Sequence, residues 1–181
     1  MGYTMLLVMQ RNGRGRIAVH RIRLNRMVNK RTCILQEIGT SILLIRRMLQ
    51  GKELYQRDTL VDLVNLASIA YGYSIGGFDA DRFVGDTLTL GIGREGEPYE
   101  GIGRGMINIH GLPVYRDAKG GVGTPTSDHE RTKMTIDTQH LVVLINGYDG
   151  DEQRVCKNAE YIQELLCKYC QSDGGSYFIY R

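Results

Sequence analysis

The segment Val61–Asp86, VDLVNLASIAYGYSIGGFDADRFVGD, constrains this chain more than any other stretch. It joins an apolar helical pattern to the pair Gly76-Gly77, two aspartates (Asp79 and Asp81) and a second turn at Gly85-Asp86. Thr59 with Asp62 three residues on resembles a capping box, with Asp in place of Glu. Leu60, Val61, Val64 and Ala67 share one helical face, and Gly72 is placed to end the helix. Tyr73–Ile75 reads as a short extended piece. Gly76-Gly77 predicts a turn, and Phe78–Phe83 a loop or a single helical turn.

The flanking sequence supplies strands and two more helices. Ile34–Leu49 carries apolar residues at 34, 35, 38, 42, 45 and 49, the stepping of a helix with one buried face. Thr87–Ile92 alternates apolar and small or polar residues, as a half-buried strand does. Weaker strands are predicted around Ile102, at Met106–Ile109 and at Leu112–Tyr115. The run LVVLI at Leu141–Ile145 is apolar throughout and predicts a central buried strand. Val155, Ala159, Ile162, Leu166 and Tyr169 make one stripe on a last helix, and Tyr177–Tyr180 adds a terminal strand. Together these predict an α+β domain, a largely antiparallel, sandwich-like sheet core with flanking helices.

Charge is divided unevenly along the 181 residues. Residues 1–50 hold ten Lys/Arg against Glu37 alone, a net of +9, and the remainder holds 13 Lys/Arg against 19 acids, a net of −6. Two regions follow: an atypical basic N-terminal extension at 1–36 and a folded domain at 37–181. The extension reads as an RNA-binding arm, an organelle transit sequence or a solvated tail without function. The mildly acidic domain disfavours sequence-independent binding to nucleic acid. No apolar run is long enough to span a bilayer, so no membrane association is expected. Cys33, Cys156, Cys167 and Cys170 form no disulfide framework, and no signal peptide is expected, which points to a reducing cytoplasm.

Four motifs invite a chemical reading. Gly91–Gly96, GIGREG, matches G-x-G-x-x-G, but Glu97-Pro98 follows where a dinucleotide site needs a helix, so the reading is a hairpin turn and no cofactor. Cys167-x-x-Cys170 lies at the end of a helix, lacks the remaining ligands of a zinc site, and reads as two thiols on one face with no metal. His129 lies between Asp128 and Glu130 in SDHERT, a setting for acid–base work or for a plainly solvated loop. Asp79 and Asp81 are placed either to hold a cationic group or to cap the next turn. No nucleophile elbow or catalytic triad is visible.

The order and spacing of Val61, Asp62, Asn65, Phe78, Asp79, Asp81 and Gly85, followed by RTKMTIDTQHLVVLINGYDG at 131–150, resemble the B3/B4 domain of the phenylalanyl-tRNA synthetase beta subunit. The likeness covers roughly residues 40–175 and is closest to free-standing B3/B4-like proteins. In the synthetase this domain edits, hydrolysing tRNA mischarged with tyrosine. The resemblance therefore implies tRNA or an aminoacyl ester as partner and, at most, an aminoacyl-tRNA deacylase. The synthetase's aminoacylation motifs are absent. It places Asn65, Gly76, Gly77, Asp79, Arg131 and Thr132 around the substrate, with Asp128, His129 or Glu130 positioning the water. The family's editing-pocket histidine corresponds to Gly76 here. That departure leaves a second expectation open, a non-catalytic module of the same fold that binds RNA, a nucleotide or an amino acid.

Overall fold

The computed structural model describes residues 3–10, 21–24, 40–53 and 58–180, with side chains described for 44–53 and 58–180. The Arg11–Arg16 run, His20, Cys33 and the first part of the helix expected from Ile34 lie outside these residues. The fold is α+β, as the sequence pattern predicts.

Two sheets and a layer of helices build the domain. The first sheet contains β1 (Tyr3–Gln10), β3 (Ser74–Asp79), β10 (His140–Gly147) and β11 (Ser176–Tyr180) in the order β11-β1-β10-β3, with every pair antiparallel. The second contains β2 (Arg21–Leu24), β4 (Thr87–Ile92), β7 (Pro113–Arg116), β8 (Gly121–Thr124) and β9 (Ser127–Asp128) in that order. Its pairs are antiparallel except β2 with β4. A small ribbon pairs β5 (Glu100–Gly101) with β6 (Gly105–Met106). The helices are α1 (Thr40–Leu49), α2 (Thr59–Tyr71) and α3 (Glu152–Cys170). No helix among the described residues is long and apolar enough to cross a membrane. The compositional break at residue 36 does not coincide with an edge of the sheet, because β1 precedes it and is hydrogen-bonded between β10 and β11.

Strand β10 explains why the layers stack as they do. Its side chains alternate, and both sets are apolar. Leu141, Val143 and Ile145 join Leu60, Val64 and Ala67 of α2 and Val155, Ala159 and Ile162 of α3. Val142 and Leu144 point the other way and join Phe78 of β3, Leu88 and Leu90 of β4, and Tyr115 and Val122 from β7 and β8. A strand covered on both faces reads as a continuous apolar run, which is what LVVLI is. The alternation predicted at Thr87–Ile92 also holds, with Leu88 and Leu90 buried.

Local chemistry sets the element ends. Asp58, one residue before the expected Thr59, caps α2: its carboxylate accepts the Val61 N–H at 3.0 Å. Gly72 closes that helix in the left-handed region at φ 75°. Asp151 caps α3 through the Arg154 N–H. The segment after Ile92 is a turn at Glu95-Gly96 followed by β5, so GIGREG opens no helix.

One expectation is overturned inside the central segment. Gly76-Gly77 is not a turn. Both residues lie within β3, opposite Leu144 and Val143 of β10. Glycine is there because neighbours occupy the space of a side chain. A Cβ on Gly77 would stand 2.5 Å from the Met134 methyl, and one on Gly76 would stand 2.8 Å from the Phe78 ring. The pair signals close packing rather than reversal.

Leu144→Ala is expected to cost about 2–5 kcal/mol, since it empties the contact between the two sheets. Met106→Ala, at an exposed position, should stay within about 0.5 kcal/mol of the parent. Urea denaturation of the two variants checks the pair.

Candidate functional site

The Phe78 ring lies where the two sheets meet. Residues Ser74, Gly76 and Phe78 of β3 share the face that looks toward the second sheet, as period-2 geometry requires. Phe78 is 1% exposed. Its ring tip lies over two glycines from different strands. A Cβ on Gly76 would stand 2.8 Å from ring carbon Cζ, and one on Gly123 of β8 would stand 2.6 Å from the same atom. The ring thus fills the space that side chains at 76 and 123 would otherwise claim.

Asp128 closes the same space from β9. Its Oδ1 lies 3.4 Å from the Cβ position of Gly76 and 3.3 Å from that of Gly123. Strand pairing puts it there, because Asp128 is opposite Gly123 in the β8–β9 ladder. A narrow cleft of about 10 Å³, room for about one water, opens beside this carboxyl, with Ser74, Tyr115, Thr124, Pro125 and Asn146 on its walls. The buried Asn146 ties the walls together. Its side-chain oxygen accepts the Tyr115 hydroxyl at 2.5 Å, and its Nδ2 donates to the Ser74 carbonyl at 3.2 Å.

Burial pushes the Asp128 carboxyl up to about 7, against the opposing effect of one hydrogen bond from the Gly77 N–H. No described salt bridge involves this carboxylate. Asp117 meets a different fate a short way along the chain. Burial alone would raise it. Arg131 binds it with two parallel hydrogen bonds of 2.9 and 3.0 Å, and the backbone N–H groups of Val84, Lys119 and Gly120 also donate to it. Together they hold its carboxyl below the usual carboxylate range.

The rest of SDHERT makes contacts within the fold. Residues Glu130–Thr132 form a 3₁₀ turn, and His129 caps it by accepting the Arg131 N–H on Nδ1 at 3.0 Å. The neutral ring therefore carries its proton on Nε2. The Tyr99 ring packs against it in a T-shaped pair, with centroids 4.9 Å apart. Burial, then the Arg131 charge, lowers the His129 pKa, so the ring is neutral near pH 7. Glu130 pairs with Lys133. Arg131 also donates to the Arg82 carbonyl, and the Thr132 hydroxyl is buried against the Val122 carbonyl. Of the residues assigned from sequence, Gly76 and Asp128 line the cleft; Asn65, Gly77, Asp79, His129, Glu130, Arg131 and Thr132 do not.

Asp79 takes the capping alternative. It accepts the Asp81 N–H at 3.1 Å at the start of the turn Ala80–Arg82, along with Arg82 Nε and the Thr138 hydroxyl. Asp81 contacts His140. Gly77 faces α2 and Met134, on the opposite side of β3 from the cleft. Asn65 is half-buried on α2. The sequence does not single out Ser74, Tyr115 or Asn146. The last two sit at the ends of apolar runs, and Asn146-Gly147 reads locally as a turn, whereas both residues belong to β10.

The arrangement is a two-sheet sandwich with a carboxyl and a glycine-lined cleft at one seam. A family model for the B3/4 domain matches residues 26–171. The chain belongs to the B3/4 domain family. This is the domain found in the beta subunit of phenylalanyl-tRNA synthetase. No curated protein matches the chain. In this B3/4 domain the position expected to hold a histidine is closed to any side chain while Phe78 keeps its place.

Gly76→Ala is expected to destabilise this B3/4 domain by about 1–3 kcal/mol through overpacking on Phe78. Adding Phe78→Leu should recover part of that loss, so a double-mutant cycle by urea denaturation should give a clear coupling energy. Additive effects would show that the ring is not what excludes the side chain.

Asp128 also sets a pH dependence. Its carboxyl titrates near 3.8 when unfolded and near 7 when folded. Between these values the folded chain holds a proton that the unfolded chain has released. Stability from this group therefore falls as pH rises through that window, and is fully lost above about 7. Asp128→Asn should melt higher than the parent at pH 8, and the gap should narrow toward pH 5. Thermal melts across pH 5–8 measure it.

Proposed function

We propose that this B3/4 domain hydrolyses the ester of a mischarged aminoacyl-tRNA, with Asp128 as the general base. The observation that carries the reading is a carboxyl raised to about 7 on the wall of a cleft. Such a group is divided between its acid and base forms at neutral pH, which suits it to take a proton from water. The water oxygen attacks the ester carbonyl while Asp128 accepts the water proton. The bond to the ribose oxygen then breaks, and the proton passes to that oxygen. The products are the free amino acid and tRNA with a free terminal hydroxyl. His129 is not the base in this scheme, because its Nδ1 lone pair is engaged by a backbone N–H. The substrate class follows from the family, whose synthetase member edits.

A second reading has its own support. The Phe78 ring occupies the space between Gly76 and Gly123, which leaves little depth for a bulky side chain. This favours a non-catalytic module that binds an amino acid, a nucleotide or an RNA end at the rim.

Incubation with tyrosine-mischarged tRNA separates the two. The deacylase reading expects release of tyrosine above a buffer control, and a loss of about 100-fold or more in Asp128→Asn. No release above the control would sink it. A thermal shift with aromatic amino acids or nucleotides and no turnover would support the binding module instead.

A further inference from the structure

Tyr99 stands behind the strand that carries Asp128. It immediately precedes β5, is 0% exposed, and packs with Ile109 and Val114 in a small cluster of its own. Its ring lies over Gly121 of β8, where a Cβ would stand 2.7 Å from ring carbon Cδ2. The hydroxyl at the end of the ring donates to the Ser127 carbonyl at 2.8 Å. Ser127 is the residue before Asp128 in β9.

The backbone is pinned on both sides of Asp128. The Ser127 carbonyl accepts two hydroxyls, those of Tyr99 and Thr124, at 2.8 Å each. The Asp128 carbonyl accepts the Ile102 N–H at 3.1 Å, and the His129 N–H donates to the Val122 carbonyl at 2.8 Å. Peptide units are planar, so these contacts fix the planes on either side of the Asp128 Cα and with them the direction of its Cβ. The two hydroxyls act differently. Thr124 lies three residues from Ser127, so its contact shapes the reversal itself. Tyr99 lies 28 residues away and is held in its own cluster, so its contact fixes where that reversal stands against the rest of the sandwich. Burial, then the Asp128 charge, pushes the Tyr99 hydroxyl up, so it stays a donor while Asp128 titrates. No Lys or Arg lines the cleft that the carboxyl faces.

We propose that Tyr99 is a positioning residue: through the Ser127 carbonyl, its hydroxyl aims the Asp128 carboxyl into the one-water cleft. Its effect on turnover rests on the deacylase reading above, whereas its hold on the carboxyl does not. Tyr99 does not line the cleft, so it acts only through Ser127. A space for about one water leaves a proton acceptor little latitude. A reacting group misplaced by about 1 Å can lose ~100-fold in rate.

Tyr99→Phe removes the hydroxyl and keeps the ring over Gly121. Ile162→Ala is the control, a core truncation in α3 on the opposite face of the first sheet, and it should lower the melting temperature further. Carbon-13 NMR of the Asp128 carboxyl against pH, in the full chain, reads the aim directly. The parent should titrate near 7, and Tyr99→Phe should fall toward 3.8, the value of a solvated carboxyl. Thr124→Val removes the other hydroxyl from the same carbonyl; it should lower the midpoint too, and it covers the case of a Tyr99 variant that does not fold. Ile162→Ala should titrate as the parent does. On tyrosine-mischarged tRNA, Tyr99→Phe should lower kcat about tenfold, as for one lost hydrogen bond, with KM within about threefold. Its pH–rate profile should move with the NMR midpoint. An unmoved midpoint in Tyr99→Phe (or in Thr124→Val should the first variant not fold), an equal fall in Ile162→Ala, or a parent already titrating at 3.8 would overturn the assignment. No deacylation by the parent, with the midpoint lowered in Tyr99→Phe, removes the chemistry and leaves the positioning. Deacylation and midpoint both unchanged in Tyr99→Phe remove the positioning and leave the deacylase standing.

Discussion

The packing of the Phe78 ring between Gly76 and Gly123 is the contact on which the rest of the site depends. Two face-packed sheets are held about 10 Å apart by the side chains between them. Here a single aromatic side chain from β3 reaches across, and it finds room only because β3 and β8 each contribute a glycine beneath it. The same contact brings Asp128 against the two glycines and out of bulk water. Packing and acidity are therefore one problem at this seam. A larger residue at either glycine would displace the ring, and a displaced ring would rehydrate the carboxyl.

Asp117 and Asp128 show how strongly environment divides identical groups. Both are drawn out of water. Asp117 receives a forked guanidinium and three backbone N–H groups, and becomes a fixed anion that joins the β7–β8 turn to the turn at Glu130–Thr132. Asp128 receives the Gly77 N–H and faces a cleft, which leaves its charge under-compensated. One carboxylate is a brace and the other is a titratable group, and the difference is the number and charge of their donors.

The elements that follow from local periodicity were legible in the sequence. The stripe of α3, the alternation at Thr87–Ile92, the apolar β10 and the Gly72 cap each need only a few neighbouring residues to be read. The capping role of Asp79 was also visible as one of two alternatives. The site was legible to a lesser degree, because its geometry is non-local. Gly76-Gly77 looks like a turn until Phe78, Met134 and β10 are placed around it. SDHERT looks like a solvated run until the β8–β9 pairing turns Asp128 inward while His129 becomes a cap. Asn146-Gly147 has the look of a turn, yet both residues lie in β10, with Asn146 paired to Ser74. Asn146 acquires its part only when Ser74 and Tyr115, distant in sequence, are brought to its amide.

The capped state of His129 has a consequence for the sign of charge at this end of the molecule. With Nδ1 occupied by a backbone N–H, the ring behaves near neutrality as a fixed, uncharged donor, much as a side-chain amide would. Where a histidine supplies the titrating group, a site passes from cationic to neutral as pH rises. Here Asp128 supplies it, so the cleft passes from neutral to anionic. A polyanionic partner approaching this face meets growing repulsion on the alkaline side, in the same range where the carboxylate gains its capacity to accept a proton. Negative charge and basicity at this cleft thereby rise together through one ionisation.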